Sequence, residues 1–316
     1  MCDKTDISVV VPVYGCPGAI PELHRRLVQT LESMNKTFEI ILVNDCDPYD
    51  SWSRIREVCR VDSRVIGVSL SRNFGQIQAI TAGLNISRGD WVVVMDCDLQ
   101  DRPESISKLY EKAKDGYDVV FAKRVNRKDS NATKFLSRAF YKVYDYFTDG
   151  NYDPTINNFS IVSRAVVENY CKFTEHHRGY TMFIRWLGFK QTAIELEGDE
   201  RFEGKSSYSL KKKIRFAGEL ITAQSNKPLH FATNFGFVIS ALSFVYLLYL
   251  LVRYIVDPAA SLPGWTSTIG AVFFMGGLIL AAVGIAGIYI GHIFTETKGR
   301  PLFVVREILN GGDQSW

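Results

Sequence analysis

The chain has 316 residues, 47% of them hydrophobic, with 37 Lys and Arg against 34 Asp and Glu and a formal net charge of +3. So small a surplus gives no reason to expect nucleic acid as a partner, and the length leaves room for about two domains. The average hides a split: Met1 to about Lys227 is ordinarily charged, whereas Pro228 to Phe294 is almost uncharged.

The N-terminus enters an apolar run directly, so no signal peptide is expected. That run, Ile7–Val13 (ISVVVPV), predicts a buried strand, and Pro12 has no N–H for a ladder and so belongs near its end. Gly15, Pro17 and Gly18 predict a turn; Leu23, Leu27, Leu31 and Met34 space out a helix over Glu22–Met34. Phe38–Asn44 predicts a second strand, stopped by Asp45-Cys46-Asp47-Pro48, then a helix over Trp52–Arg60 and a strand at Val65–Leu70. Arg72-Asn73-Phe74-Gly75 leads into a helix over Gln76–Ile86, and Trp91–Met95 predicts a strand buried on both faces. Pro103 suits the opening of a helix over Glu104–Lys114, and Asp118–Lys123 predicts a fifth strand. Strands alternating with helices imply right-handed βαβ units, so the first half reads as a doubly wound α/β domain with a mostly parallel sheet.

The fourth strand runs into Asp96-Cys97-Asp98-Leu99-Gln100-Asp101. Residues two apart on extended chain point the same way, so Asp96 and Asp98 bring two carboxylates to one spot. A hard divalent cation there would relieve their repulsion. An Asp-rich loop that merely caps a helix would look the same locally. That alternative explains poorly why Tyr14, Asp45, Arg72, Asp96, Asp98 and Arg124 all follow strands, where open α/β sheets bind ligands. Neither G-x-G-x-x-G after the first strand nor the full P-loop pattern G-x-x-x-x-G-K-[ST] is present, which leaves a nucleotide held through a carboxylate-bound metal. Cys2, Cys16, Cys46, Cys59, Cys97 and Cys171 form no C-x-x-C pair, which argues against a zinc site and a disulfide framework and fits a reducing cytosol.

Further on, Thr133–Phe147 is aromatic-rich with helical spacing, and Val166–Tyr170 begins another helix. Lys211, Lys212, Lys213 and Arg215, with Leu210, Ile214, Ala217 and Ile221 on one side, predict an amphipathic helix on a membrane surface. Ala232–Val252 and Ile269–Ile290 carry no charge, and each is long enough to cross about 30 Å of hydrocarbon. Basic residues flank the pair on both sides, so both termini are expected in the cytoplasm. The expected layout is a domain over 1–209, an amphipathic segment over 210–230, two transmembrane helices within 231–294 and a cytosolic tail over 295–316.

VVPVY, LVND, SRNFGQ, MDCDLQDRPE and GYDVVFAKRVNRKDS, with DERFEGKSSYS at Asp199–Ser209 and GIYIGHIFTETKGRPLFVV at Gly287–Val305, carry a family resemblance. Together they resemble the family-2 glycosyltransferases of GT-A fold, and more narrowly the polyprenyl-phosphate glycosyltransferases. The resemblance implies inverting transfer of a sugar, typically glucose from UDP-glucose, to a polyprenyl phosphate such as undecaprenyl phosphate. It implies Mg2+ or Mn2+ as cofactor, a lipid bilayer as surroundings, the cytoplasmic membrane as location and a homo-oligomer such as a tetramer. By position it gives Asp96, Asp98 and Gln100 to the metal and diphosphate, Pro12, Tyr14, Asp45 and Arg72 to the nucleotide, Arg124 and Arg127 to the acceptor phosphate, and Arg201 and Ser206 to the E-R-x-x-G-x-S-x-Y segment. Three departures stand out: Gly15-Cys16 replaces Asn-Glu, Asn44-Asp45-Cys46-Asp47 replaces D-D-G-S, and Asn157-Asn158-Phe159 replaces Gly-Asp-Phe, removing a carboxylate at Asn158. Met182-Phe183-Ile184-Arg185-Trp186 ends like the Q/R-x-x-R-W of processive polysaccharide synthases but starts with Met. A membrane-tethered nucleotide-sugar binding protein without catalysis is the other alternative.

Overall fold

The computed structural model describes residues 5–124, 156–176, 178–197, 199, 225, 227–256 and 264–311. Its elements are β1 (Ile7–Val13), α1 (Ile20–Ser33), β2 (Phe38–Asn44), α2 (Ser51–Val61), β3 (Val65–Leu70), α3 (Gln76–Ile86), β4 (Trp91–Val94), a 3-10 turn at Pro103–Ser105, α4 (Ile106–Lys114) and β5 (Val119–Arg124). These are followed by β6 (Ile156–Ser163), α5 (Arg164–Tyr170), α6 (Tyr180–Trp186), β7 (Gln191–Leu196), α7 (Lys227–Val256), α8 (Trp265–Thr297) and β8 (Val305–Leu309). The predicted helix Thr133–Phe147 and the amphipathic segment around Lys211–Arg215 lie outside the described residues.

Eight strands form one sheet in the order β7-β5-β6-β4-β1-β2-β3-β8. β1 to β4 are mutually parallel, β5 and β7 run the same way, and β6 and β8 are antiparallel to their neighbours. This is the mostly parallel α/β sheet that the alternating pattern predicts. β1 and β2 are buried along their whole length, because helices cover both faces. Val9, Val11 and Val13 pack with Leu23, Leu27 and Leu31 of α1, so truncating Leu27 to Ala would cost about 2–5 kcal/mol. Val10 points to the other face, where α3 lies so close that a Cβ on Gly83 would overlap it.

The amino-terminal edge of the sheet is closed by polar groups that satisfy one another. Glu39 is buried; it accepts from Ser8 Oγ at 2.6 Å and from the Arg88 N–H at 2.6 Å, while Gly89 N–H donates to Ser8 Oγ at 2.8 Å. Beside it, Asp62 accepts three hydrogen bonds from Arg64 and sits 3.0 Å from His24 Nε2. The Arg64 side chain above all holds the Asp62 carboxyl well below the usual carboxylate range.

Two compact units divide the chain, one holding the sheet and the other holding α7 and α8. Helices α7 and α8 have 30 and 33 residues, and both are long and apolar enough to cross a membrane. Their apolar side chains are turned outward, Leu280 by 73%, which is the surface a lipid environment would cover. β8 follows α8 in sequence yet belongs to the sheet, where Val68 pairs with Ile308 and Ser69 with Glu307. Glu307 binds Trp52 and Arg56 of α2, and Asn310 Nδ2 donates to Cys59 O and Val65 O. The sequence pattern gives these residues only as a tail.

Candidate active site

Parallel pairing sets Asn44 opposite both Val13 and Ser69, and Val94 opposite Val10, so the carboxyl ends of β1 to β4 share one edge. Tyr14, Asp45, Arg72, Asp96 and Asp98 therefore emerge together, as their positions after the strands predict. β6 begins at this edge, with Ser160 opposite Val94 and Ile156 opposite Lys123, which brings Asn157 and Asn158 there and Arg124 to the end of β5. Pro12 is buried inside β1 opposite Val43, one residue short of the edge. Arg127, Arg201 and Ser206 lie outside the described residues.

Asp45 is 3% exposed and accepts from the N–H groups of Phe74 at 2.7 Å and Gly75 at 2.9 Å. Burial pushes its carboxyl above the usual range, opposed by those two bonds and by the Arg72 charge. Its grip turns the chain sharply after β3, a conformation that needs φ +105° at Gly75. The Arg72 guanidinium lies 4.0 Å from the Phe74 ring centre, on an exposed side chain that points into solvent from this edge. Gln76, which opens α3, donates to Asp96 Oδ1 at 2.7 Å; its signal is the last residue of SRNFGQ. Asp98 Oδ1 accepts from the Gln100 N–H at 3.1 Å, a local turn that fixes the carboxylate, and Leu99 sits at φ +58°. Met95, Cys97 and Leu99 are buried in the core while Asp96, Asp98 and Gln100 are partly exposed. The alternation that turns both carboxylates outward is thus present.

The expectation against disulfides is overturned. Cys16 and Cys97 form a disulfide, with 6.5 Å between their Cα atoms across 81 residues of sequence. The physical reason is topological: β1 and β4 are adjacent, so a residue just past the end of each meets its counterpart. Cys46, Cys59 and Cys171 are free thiols. On its other side the same turn is held by Asp47, which accepts from the Gly15 N–H and from Ser51 Oγ.

Asp199 and Arg102, which lie within the DERFEGKSSYS and MDCDLQDRPE motifs, meet beside the Asp96–Asp101 segment and brace it. Asp199 N–H donates to Gln100 O at 2.9 Å, and its carboxylate accepts from Arg102 Nε at 2.8 Å. The Met182–Trp186 motif lies on α6 with Met182, Phe183 and Ile184 buried.

Asp96 and Asp98 supply hard oxygen donors, the type that suits Mg2+ or Mn2+. No third His, Cys, Asp or Glu completes a cluster with them among the described residues. A cation held there would share the two carboxylates, with Gln100 beside them, and take its other ligands from a diphosphate and water, the usual manner for Mg2+.

Comparison with known proteins places this edge in context. The sequence signature of Glycosyl transferase family 2 matches residues 8–171. The chain is 36% identical over 302 residues, 95% of its own length and 93% of the other, to an uncharacterized glycosyltransferase, YkcC, of Bacillus subtilis. It is 33% identical to the bactoprenol glucosyl transferase of Shigella phage SfX, covering 95% of this chain and 98% of that one. It is also 33% identical to the undecaprenyl-phosphate 4-deoxy-4-formamido-L-arabinose transferase of Edwardsiella ictaluri, over 96% of this chain and 94% of that one. Among solved structures, the fold resembles glucosyl-3-phosphoglycerate synthase of Mycobacterium tuberculosis, crystallised with Mn2+, UDP and phosphoglyceric acid. The TM-score is 0.50 at 16% identity, over 69% of this chain and 76% of that one. The match over residues 8–171 and relatives spanning nearly the whole chain make this protein a member of glycosyltransferase family 2, with the GT-A fold.

Proposed function

We propose that this enzyme transfers a sugar from a nucleotide diphosphate sugar, UDP-glucose or a similar donor, to a polyprenyl phosphate, with inversion at the anomeric carbon. The observation that carries the reading is the shared edge at which Asp45, Arg72, Asp96 and Asp98 follow strands β2, β3 and β4 of one parallel run, β4-β1-β2-β3. The acceptor class is supported by relatives named for bactoprenol and undecaprenyl phosphate. The cofactor is supported by a fold neighbour crystallised with Mn2+ and UDP.

In this reading Asp96 and Asp98 hold Mg2+ or Mn2+ with Gln100 beside them; when bound, the cation neutralises charge on the departing diphosphate. Asp45 holds the Arg72–Gly75 turn so that Arg72 and Tyr14 face the nucleotide, and Pro12 shapes the strand end beneath them. Arg201 and Ser206 contact the diphosphate. Arg124 and Arg127 grip the acceptor phosphate, a task that suits the two-pronged guanidinium. A phosphate monoester has its second pKa near 6, so the acceptor is largely ionised at neutral pH. One of its oxygens attacks the anomeric carbon as the bond to the diphosphate breaks, and no general base is required. Asn158 in place of a carboxylate is compatible with that step.

Helices α7 and α8 anchor the enzyme in the cytoplasmic membrane beside its lipid substrate, with both termini cytoplasmic. The pairing of β8 with β3 supports this topology, because it returns the chain after α8 to the sheet and so calls for an even number of crossings. Glycine at 276, 277, 284, 287 and 291 suits close helix packing in a homo-oligomer.

The test is to supply radiolabelled nucleotide sugars one at a time with undecaprenyl phosphate to purified enzyme, and to follow label into a butanol-extractable lipid. One donor is expected to label the lipid in a single addition, with loss in excess chelator and recovery on adding Mn2+. No lipid product from any donor, or polymer instead of a single addition, contradicts the proposal.

A further inference from the structure

The Cys16–Cys97 bond ties together the two loops that frame the candidate metal site, and the known activity of the family does not explain it. Cys97 stands between Asp96 and Asp98, so anchoring its buried side chain anchors the backbone from which the two carboxylates project the other way. Cys16 is itself held in place: the Gly15 N–H donates to Asp47, and the Cys16 carbonyl accepts from Ala19 N–H at the start of α1. Both cysteines are buried, at 3% and 6% exposure, and their Cα separation of 6.5 Å lies within the range a disulfide spans. Beneath Asp98 the backbone adopts φ +58° at Leu99, a conformation a leucine keeps only when its surroundings impose it.

We propose that Cys16 and Cys97 form a redox-dependent clamp on the Asp96–Asp98 segment, so that affinity for a metal–nucleotide complex depends on the state of this bond. The inference rests on the assignment of Asp96 and Asp98 to the metal made above. In the oxidised state the bond joins the β1–α1 turn to the β4 loop and presets the carboxylates. A dithiol supplies two electrons and two protons, leaves as its own cyclic disulfide, and converts the pair to two thiols. The β4 loop then loses its covalent tie to β1 while Gln76 and Asp199 still hold its flanks. A disulfide-bearing oxidant reverses the reaction. Because both sulfurs are buried, exchange is slow and requires the Gly15–Cys16 turn to open.

The test uses full-length protein in detergent, with UDP and GDP in the presence of Mn2+ as probes and calorimetry as the readout. Alkylation followed by mass spectrometry reports the state of the bond. Reduction of the wild type is expected to weaken binding of whichever nucleotide binds by about tenfold. Cys16→Ser, Cys97→Ser and the double variant should all sit at that weakened level, equal to one another and unresponsive to dithiothreitol, since each breaks the same bond. Circular dichroism of the reduced wild type keeps the test valid should a serine variant misfold. Binding that is unchanged on reduction overturns the clamp alone, as do effects of the two single variants that add in the double. Fully alkylatable Cys16 and Cys97 in the untreated protein also overturn it. If neither nucleotide binds the oxidised protein with Mn2+, the clamp and the metal-site reading fall together.

Discussion

The two edges of the central sheet are built from the same residue types and put them to opposite uses. At the amino-terminal edge Glu39, Ser8, Arg88 and Gly89 close on one another, and Asp62 is enclosed by Arg64 and His24. At the carboxyl-terminal edge Arg72 and Tyr14 stand in solvent, Tyr14 at 50% exposure, and buried Asp45 serves to shape a loop. Charge satisfied inside the protein holds the fold together, whereas charge turned outward by the ends of parallel strands is available to a ligand. Mutation should therefore separate stability from function along the length of single strands.

The largest effect is expected at the outward edge. Asp98→Asn should lower sugar transfer by about a thousandfold or more while the thermal midpoint and membrane insertion stay at wild-type values. Transfer by Asp98→Asn close to the wild-type rate would remove the metal from the account. At the opposite end of the same sheet, Glu39→Ala leaves Ser8 and the Arg88 N–H without their buried acceptor. It should cost about 2–4 kcal/mol in denaturant unfolding and leave nucleotide affinity in the folded fraction unaltered.

How far each edge is legible in the sequence follows from the same contrast. The central strands β1 to β4 are dominated by apolar, mostly β-branched residues because both faces are covered, with polar residues near their ends, and those ends therefore mark the site directly. The strands β6 (INNFSIVS), β7 (QTAIEL) and β8 (VREIL) mix polar with apolar residues, and β7 and β8 lie at the borders of the sheet, half-exposed. The partner of β8 lies more than 230 residues earlier in the chain, beyond the reach of any local pattern. The disulfide hides for a related reason, since Cys16 and Cys97 become neighbours only once β4 is known to lie beside β1. Gln76 and Asp199 are likewise placed by tertiary contacts with the Asp96–Asp101 segment.

Smaller effects sharpen the division. Arg127→Ala should weaken apparent affinity for polyprenyl phosphate by about one to two orders of magnitude, the worth of a charge-assisted hydrogen bond, and leave donor affinity within a few-fold. Lysine at this position should restore only part of the loss, because it keeps the charge without the fork. A collapse of donor affinity instead would place that loop at the nucleotide. Smallest is Asp62→Asn at the amino-terminal edge, expected to cost about 1–2 kcal/mol at neutral pH. The folded state holds the Asp62 carboxyl below its usual range, so its contribution is complete above the unfolded value of about 3.9 and fades as pH falls below it. Urea midpoints of wild type and Asp62→Asn should differ at pH 7 and converge on going well below pH 4; a gap that persists in acid would assign the effect to packing.

The most direct measurement is electron paramagnetic resonance of Mn2+ bound to the full-length enzyme, with and without nucleotide diphosphate. In wild type and in Glu39→Ala the nucleotide should change the Mn2+ spectrum and tighten its binding, since the cation is shared between the Asp96–Asp98 edge and the diphosphate. In Asp98→Asn that coupling should be lost. Nucleotide-coupled Mn2+ binding that survives in Asp98→Asn would contradict the assignment of the metal to this edge.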